Sequence, residues 1–277
     1  MLEIIKAILY GIVEGITEWL PISSTGHMII LNDIITMNVS KEFWDMFLVV
    51  IQLGAIMAVV VLFWNKIFPF NLNKHKKSII KMDVMNLWFK ILVACIPAAI
   101  VGLLFDDILE KYLYNSAVVA TMLILFGIGF IIIENKNKDS NARVNDLTSI
   151  SYKDAFIIGV FQLIAAIFPG TSRSGATILG GIAIGISRTI AAEFTFFLAI
   201  PVMFGASLLK ILKFGFAFTG TELVILLVGM FTAFIVSVLA IRFLMGYIKK
   251  HDFKIFGWYR IILGIIILVF FGIKSFM

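Results

Sequence analysis

The chain has 277 residues, of which 61% are hydrophobic and only 14% are charged. Soluble domains are nearer half apolar and a quarter charged, so this composition excludes a soluble globular protein. The net charge of +6 comes from lysines between apolar segments, which favours cytoplasmic loops over a nucleic-acid-binding surface. Cys95 is the only cysteine, which excludes an intramolecular disulfide and a thiolate metal cluster. We therefore expect an all-α, polytopic membrane protein.

The first element, residues 3–31, is apolar but interrupted by "PISSTG" at 21–26. Proline stops a helix, and the Ser, Thr and Gly that follow favour a turn. The element lacks a basic start and carries Glu3, Glu14 and Glu18, so we expect no cleavable signal peptide. The pattern predicts a helix, a turn and a second helix.

Three uninterrupted apolar segments follow, then a second broken element at 155–187, and then three further apolar segments. The second interruption, at 169–175, is "PGTSRSG". Each uninterrupted segment is long enough to cross the hydrocarbon layer of roughly 30 Å as a helix. The predicted spans are 46–64, 86–105, 115–133, 189–212, 222–243 and 258–274.

The charges between the spans orient the chain. The loop at 65–83 carries five lysines and one aspartate, which places it in the cytoplasm, whereas the acidic segment 106–115 fits the outside. The basic segments 134–154 and 242–254 also fit the inside. Each broken element must then return to the side from which it entered. We expect two re-entrant helix–loop–helix hairpins in addition to the spans.

The two broken elements are related by an internal repeat. Setting Gly11 against Gly159 aligns them without a gap at an offset of 148 residues, and three spans follow each copy. The first copy enters from outside and the second from inside, which predicts an inverted-topology repeat that brings the two tips together near the midplane. We expect one integral membrane domain, 1–277, with halves at about 1–134 and 153–277. The aligned pairs include Glu14 with Gln162, Pro21 with Pro169, and Ser24 with Ser172.

The first tip carries two carboxylates. Glu14 and Glu18 are four residues apart and share one helix face. Paired acids on a solvated face would suit a soluble helix, but carboxylates in an apolar membrane segment favour a functional site. Two adjacent carboxylates repel unless a proton or a cation intervenes, so a hard divalent ion such as Mg²⁺ or Ca²⁺ is expected there.

The second tip carries Arg173, whose guanidinium can hold a phosphate through two parallel hydrogen bonds. Gly170 and Gly175 allow backbone N–H groups to approach a ligand closely, and the helix that begins near Gly175 directs its N-terminus to the same place. The alternative is a structural ion pair between Arg173 and the glutamates. The hydroxyl groups expected around the phosphate belong to Thr171, Ser172, Ser174 and Thr177.

Ser24 and His27 complete the first tip. Ser24 could be a nucleophile activated by His27, or His27 could protonate a leaving group. Alternatively, Ser24 caps the helix that follows and His27 is a hydrogen-bonded core residue. Arg260 lies near a predicted span end, where snorkelling to the membrane interface is the default expectation.

"EGITEWLPISSTGH" (14–27) and "PGTSRSGATI" closely resemble the motifs of the undecaprenyl-diphosphate phosphatase family, also called bacitracin-resistance proteins. The resemblance extends over the whole chain in length, span pattern and both motifs. It implies a bacterial plasma-membrane enzyme with inverted repeats and two re-entrant hairpins, which removes one phosphate from undecaprenyl diphosphate and needs a divalent cation. The product is the carrier lipid of peptidoglycan synthesis.

The resemblance carries the family's glutamate-rich motif onto Glu14 and Glu18, followed by Ser24 and His27. It carries the arginine motif onto Ser172, Arg173, Ser174 and Thr177, and it implies a site open to the outer face. We expect Ser24 to attack, His27 to handle the proton, and the glutamates to hold the ion; the competing hypothesis is attack by a metal-bound water. The expected partners are a polyprenyl diphosphate substrate and membrane lipids, with the oligomeric state, a homodimer included, left open. A lipid flippase or anion transporter is the alternative function.

Overall fold

The computed structural model describes residues 1–71, 79–138, 141–215 and 217–276. Within these residues the chain forms helices, a short 3₁₀ turn at Leu147–Ser149 and two isolated β-bridges. The helices are α1 (Leu2–Thr17), α2 (Ser24–Ile34), α3 (Lys41–Leu62), α4 (Trp64–Ile67), α5 (Met82–Leu113), α6 (Ser116–Lys136), α7 (Tyr152–Ile167), α8 (Arg173–Ala183), α9 (Arg188–Phe214), α10 (Gly220–Tyr247) and α11 (Lys254–Phe276).

Six helices within the described residues are long and apolar enough to cross a membrane, which confirms the six predicted spans. They are α3, α5, α6, α9, α10 and α11. Several begin before their apolar stretch because a polar residue caps the first turn: Ser40 accepts a hydrogen bond from the N–H of Phe43, and Thr219 forms a capping box with Glu222. The chain is thus an all-helical, multi-pass membrane protein.

The second span, α5, continues well beyond its apolar part. The apolar stretch ends at Phe105, but the helix runs on to Leu113 through most of the acidic segment, which is therefore helical rather than a loop. Three side chains used for the expected topology, Asp106, Asp107 and Glu110, lie outside the described side chains. The centre of the basic loop, 72–78, also lies outside the described residues.

Both elements predicted to be broken are broken. The chain leaves the helical path between α1 and α2 and again between α7 and α8, and each second helix begins directly after a serine in the left-handed region, Ser23 (φ 74°) and Ser172 (φ 68°). Ser23 accepts from the N–H of Gly26 at 3.4 Å, and Ser172 accepts from the N–H of Gly175 at 3.1 Å. The residue that caps the first tip is therefore Ser23, and the alternative in which Ser24 is the cap is wrong.

These caps also correct the register of the repeat. Gly11 and Gly159 remain equivalent, since a Cβ on either would lie 2.6 Å or 2.5 Å from a backbone carbonyl of the helix that crosses it, α10 and α5 respectively. After the break, however, Ser23 is the counterpart of Ser172, so Ser24 corresponds to Arg173. The ungapped alignment is therefore wrong by one residue beyond the break, because Ser23 lies 12 residues after Gly11 whereas Ser172 lies 13 residues after Gly159.

The helices of the two halves pack mainly against each other. α1 lies along α10 and α7 lies along α5, while α3 packs on α9 and α6 packs on α11. If each helix is replaced by its counterpart in the other half (α1 by α7, α3 by α9, α5 by α10, α6 by α11, and the reverse), this list of pairs stays the same. The largest hydrophobic cluster includes residues of the first turn, such as Trp19 and Ile22, together with Ile178 of α8. The packing therefore encloses both turns at the junction of the halves.

Candidate active site

The two turns are joined by an ion pair. Arg173, the first residue of α8, donates from Nη2 to Oε1 of Glu18 at 2.9 Å. Glu18 follows the last residue of α1 and is only 6% exposed. Ser174 adds a second connection, since its hydroxyl donates to the backbone carbonyl of Glu18 at 2.9 Å. The expected meeting of the two tips is thus present at the level of individual atoms.

Ser24 points at the same carboxylate. Its Oγ donates to Oε2 of Glu18 at 3.0 Å, so the two oxygens of Glu18 hold Arg173 on one side and Ser24 on the other. A carboxylate that accepts the hydroxyl hydrogen of a serine is in a position to take that proton when the oxygen attacks. Glu18 therefore links a serine with an arginine that can bind a phosphate.

Arg173 is held by more than Glu18. Its Nη1 donates to the carbonyl of Thr195 at 3.1 Å, and its guanidinium lies 5.9 Å from the ring centre of Trp19. Thr177 donates to the carbonyl of Arg173 and accepts from the hydroxyl of Thr195, both of which bonds are 2.8–2.9 Å long. The Nε of Arg173 is buried and has no hydrogen-bond partner among the described residues, which leaves one donor free for a ligand.

Glu14 lies beside Glu18, near the end of α1, and is 2% exposed. Its Oε1 is buried without a hydrogen-bond partner among the described residues, which is costly for a carboxylate unless a proton or cation is bound. No third His, Cys, Asp or Glu of the described residues joins the pair. Two carboxylates with a shell completed by water or phosphate oxygens are typical of Mg²⁺ sites, so the donor set fits the expected divalent ion.

His27 is not placed against Ser24. Its Nδ1 lies 2.7 Å from the carbonyl of Ser23 and its Nε2 lies 2.7 Å from the hydroxyl of Tyr259, whose ring stacks on the imidazole at an angle of 8°. A carbonyl only accepts, so Nδ1 carries the hydrogen and Nε2 of the neutral ring accepts from Tyr259. In this arrangement the group that accepts the Ser24 hydrogen is Glu18, which differs from the expected Ser24–His27 pairing.

The other residues that we expect to bind phosphate lie in or beside the second turn. Ser172 caps α8 and lies 3.2 Å from the hydroxyl of Ser174, and Thr171 keeps a buried hydroxyl without a partner among the described residues. Gly170 has φ 90°, and a Cβ there would collide with the carbonyl of Val119. Packing against α6 therefore already requires this glycine, whether or not a ligand approaches it.

Three residues near the turns are not identified by the sequence motifs: Thr195, Tyr259 and Arg260. The expectation that Arg260 snorkels to the membrane interface is wrong, because the side chain is fully buried and donates to carbonyls of both turns. An arginine inside an apolar helix is the signal that could have identified it, since such residues usually face the interior of a bundle. Glu193 is likewise a buried charged residue, and it is paired with Lys66.

Comparison with known proteins places this arrangement in a family. Residues 7–266 match the family model described as bacitracin resistance protein BacA. The matched range contains both turns and every residue of the candidate site. The match therefore covers the complete candidate site as well as nearly the whole chain.

Individual relatives agree with the family match over nearly their full length. A protein of Desulfitobacterium hafniense named undecaprenyl-diphosphatase is 65% identical over 99% of this chain and 98% of its own. A protein of Enterococcus faecalis with the same name is 62% identical over 97% of both chains. A third, from Clostridium acetobutylicum and named undecaprenyl-diphosphatase 1, is 62% identical over 98% of both chains.

Proposed function

Because the chain belongs to the bacitracin resistance protein BacA family, we propose that it is an undecaprenyl-diphosphatase. It hydrolyses undecaprenyl diphosphate to undecaprenyl phosphate and inorganic phosphate. The monophosphate is the carrier lipid that returns to peptidoglycan synthesis in the bacterial plasma membrane. Removal of the diphosphate form is the chemistry that connects this activity with bacitracin resistance.

The observation that carries the proposal is the convergence of Arg173 and Ser24 on Glu18. Arg173 is the group that binds the terminal phosphate, since a guanidinium matches phosphate geometry and its Nε is still free. The hydroxyl of Ser172 and the N-terminus of α8 supply further donors beside it. Phosphoryl transfer depends mainly on positioning and charge stabilisation, which these groups provide.

In the first chemical step, Oγ of Ser24 attacks the terminal phosphorus. The Oγ–P bond forms, the bridging P–O bond breaks, and undecaprenyl phosphate leaves, while the hydroxyl proton passes to Oε2 of Glu18 at the observed distance of 3.0 Å. Glu18 is the base in this proposal because His27 is occupied by Ser23 and Tyr259. His27 instead holds the turn that presents Ser24.

In the second step, water attacks the phosphorus of phosphorylated Ser24. The new P–O bond replaces the Oγ–P bond, and Ser24 regains its proton from Glu18 while the water proton that is not kept by the phosphate is released. The competing hypothesis, direct attack by water with Ser24 only orienting the phosphate, uses the same residues. The two differ in one observable species, the phosphoserine.

We further propose that Glu14 and Glu18 hold a divalent cation, Mg²⁺ or Ca²⁺. The buried Oε1 of Glu14 supports this, because a cation would compensate a carboxylate oxygen that has no partner among the described residues. When bound, the ion would neutralise negative charge on the substrate phosphates. Arg173 would be the second positive group of the site.

The architecture proposed for this site is an inverted repeat with two re-entrant hairpins. Two features support it: the matching helix pairs of the two halves, and the matching left-handed serine caps, Ser23 and Ser172. Tips that end inside the membrane suit a substrate whose diphosphate is attached to a long prenyl chain. We propose that the site opens to the outer face, since the loop charges indicate that α1 enters from there.

Phosphate release by the purified protein in detergent tests the function, because no vectorial transport occurs there. We expect release with Mg²⁺ or Ca²⁺ and its loss on chelation, and we expect Arg173→Ala to abolish it. Arg173→Lys should show little of the wild-type phosphate release, since lysine lacks the planar pair of donors. Arg242→Lys, which changes an exposed arginine of α10, is the matched control. Absence of release by the wild-type protein would leave the transporter alternative.

A further inference from the structure

Arg260, in the second turn of α11, lies between the two broken elements. Its Nη1 donates to the carbonyl of Pro21 at 3.4 Å, and its Nη2 donates to the carbonyls of Gly170 and Thr171 at 3.1 Å and 2.5 Å. The first carbonyl belongs to the turn after α1 and the other two belong to the turn before α8. One guanidinium thus bonds to the backbone of both tips.

These carbonyls need a partner because the helices end inside an apolar protein interior. A helix break leaves carbonyl groups without their usual N–H donors, and in a membrane protein such groups must be satisfied internally. Arg260 provides donors in a planar fork, which suits a site between two separate backbone segments. The side chain is therefore used for backbone contacts at the tips rather than for a surface position.

The charge of Arg260 is compensated in an unusual way. The side chain is 0% exposed, and no carboxylate among the described residues pairs with it. Its guanidinium instead lies 5.7 Å and 6.0 Å from the ring centres of Phe126 and Phe130, and its Nε has no hydrogen-bond partner among the described residues. A buried cation without an acid is expensive, so its contacts with the turns are the feature that accounts for its presence.

The bonded carbonyls are close in sequence to the reacting groups. Pro21 precedes Ser24 by three residues, and Thr171 precedes Arg173 by two. Gly175, in the first turn of α8, makes room for the guanidinium, because a Cβ at that position would collide with Nη1 of Arg260. A displacement of either turn would therefore alter the distance between Ser24 and Arg173 directly.

We propose that Arg260 is a positioning residue, which fixes the two turns relative to each other so that Ser24, Glu18 and Arg173 meet. This inference rests on the proposed phosphatase function. Arg260 acts through the backbone and does not touch the substrate, since its side chain is enclosed by the turns and by α6. A misplacement of reacting groups by about 1 Å can lower the rate about 100-fold, which sets the size of the expected effect.

The test compares Arg260→Met and Arg260→Lys with the wild-type protein in detergent, by measuring kcat and KM for phosphate release together with thermal unfolding. Arg260→Met keeps the length and apolar stem but removes all donors, and Arg260→Lys keeps the charge but lacks the fork. We expect both to lower kcat about 100-fold with little change in KM. Arg242→Met is the control, since Arg242 is exposed on α10, and it should retain the wild-type kcat.

Three outcomes would overturn the proposal. A wild-type kcat in Arg260→Met would show that no donor is needed, and full activity in Arg260→Lys would show that charge alone suffices. A rise in KM at unchanged kcat would make Arg260 a substrate-binding residue instead. If Arg260→Met does not fold, the kcat of folded Arg260→Lys decides. The proposed phosphatase function is tested by phosphate release from the wild-type protein alone. Its failure is therefore distinguished from a failure of the proposed role of Arg260.

Discussion

The guanidinium of Arg173 lies 2.9 Å from the carboxylate of Glu18, although 155 residues separate the two in the chain. Both side chains are mostly buried, at 14% and 7% exposure. Each also holds a second group, since Glu18 accepts from Ser24 and Arg173 donates to Thr195. Removing one partner of a buried pair leaves the other charge without compensation, so each single change should disturb the whole site.

Glu18→Gln should inactivate the enzyme. The amide keeps an acceptor for Arg173, but it cannot take the proton of Ser24, and loss of general-base catalysis typically lowers rates about 10²–10⁴-fold. The measurement is kcat for phosphate release in detergent. The control is Glu42→Gln, which changes an exposed acid in the first turn of α3. A Glu18→Gln enzyme with more than a tenth of the wild-type kcat would contradict the role of Glu18 as base.

Ser24 should carry a phosphoryl group during turnover. Acid quenching of a reaction with substrate labelled in the terminal phosphate should trap label on Ser24, and rapid-quench kinetics should show a burst of undecaprenyl phosphate. Ser24→Ala should remove both signals, whereas Thr25→Ala, which removes the neighbouring hydroxyl, should preserve them. If no label and no burst are found and Ser24→Ala retains activity, direct attack by water is the mechanism.

The helical fold and the meeting of the two tips could be predicted from the sequence because they depend on coarse features. Span length, loop charge and a Pro-initiated break do not require atomic detail. The pairing of Arg173 with Glu18 also follows, since an arginine and a carboxylate in two facing apolar elements stabilise each other. These predictions depend on residue type and order along the chain, which the sequence contains.

The exact hydrogen-bond partners could not be predicted, because they depend on backbone angles and on helices remote in sequence. The left-handed backbone of Ser23 shifts the cap by one residue, and His27 contacts the carbonyl of Ser23 and the hydroxyl of Tyr259 rather than Ser24. The position of Arg260 near a span end predicts an interfacial side chain, because the sequence gives its distance from the end of the span but not its direction around α11. The side to which a helical residue points is set by packing with the other half.

The left-handed conformation of Ser172 gives a stability prediction. Ser172→Ala loses the cap, which costs about 0.5–2 kcal/mol, and keeps the backbone strain. Ser172→Gly also loses the cap, but it relieves a backbone strain of about 1–2 kcal/mol. It should therefore unfold at a higher temperature than Ser172→Ala. At Ser40, an N-cap with an ordinary φ of −63°, the difference between the Gly and Ala variants should be smaller. Equal differences at both sites would argue against strain at Ser172.

His27→Asn and His27→Gln distinguish a positioning role from proton transfer. The amide nitrogen of asparagine can occupy the place of Nδ1 and donate to the carbonyl of Ser23, which the longer glutamine cannot do in the same geometry. We therefore expect kcat of His27→Asn close to that of the wild type and a clear loss in His27→Gln. If His27 takes the proton of Ser24, both variants should fall by about 10²–10⁴-fold.

A cysteine in the first turn reports the side to which the site opens. Thr25 is partly exposed, whereas the neighbouring Ser23 is buried and held in a left-handed conformation, so Thr25→Cys is the better probe. In a Cys95→Ala background, this cysteine should react with a membrane-impermeant maleimide in intact cells, and substrate should slow the reaction. Lys250→Cys, in the basic segment after α10, should react only after permeabilisation. Lys250→Cys thus reports whether the reagent enters intact cells. If Thr25→Cys is also labelled only after permeabilisation, the site opens on the cytoplasmic side.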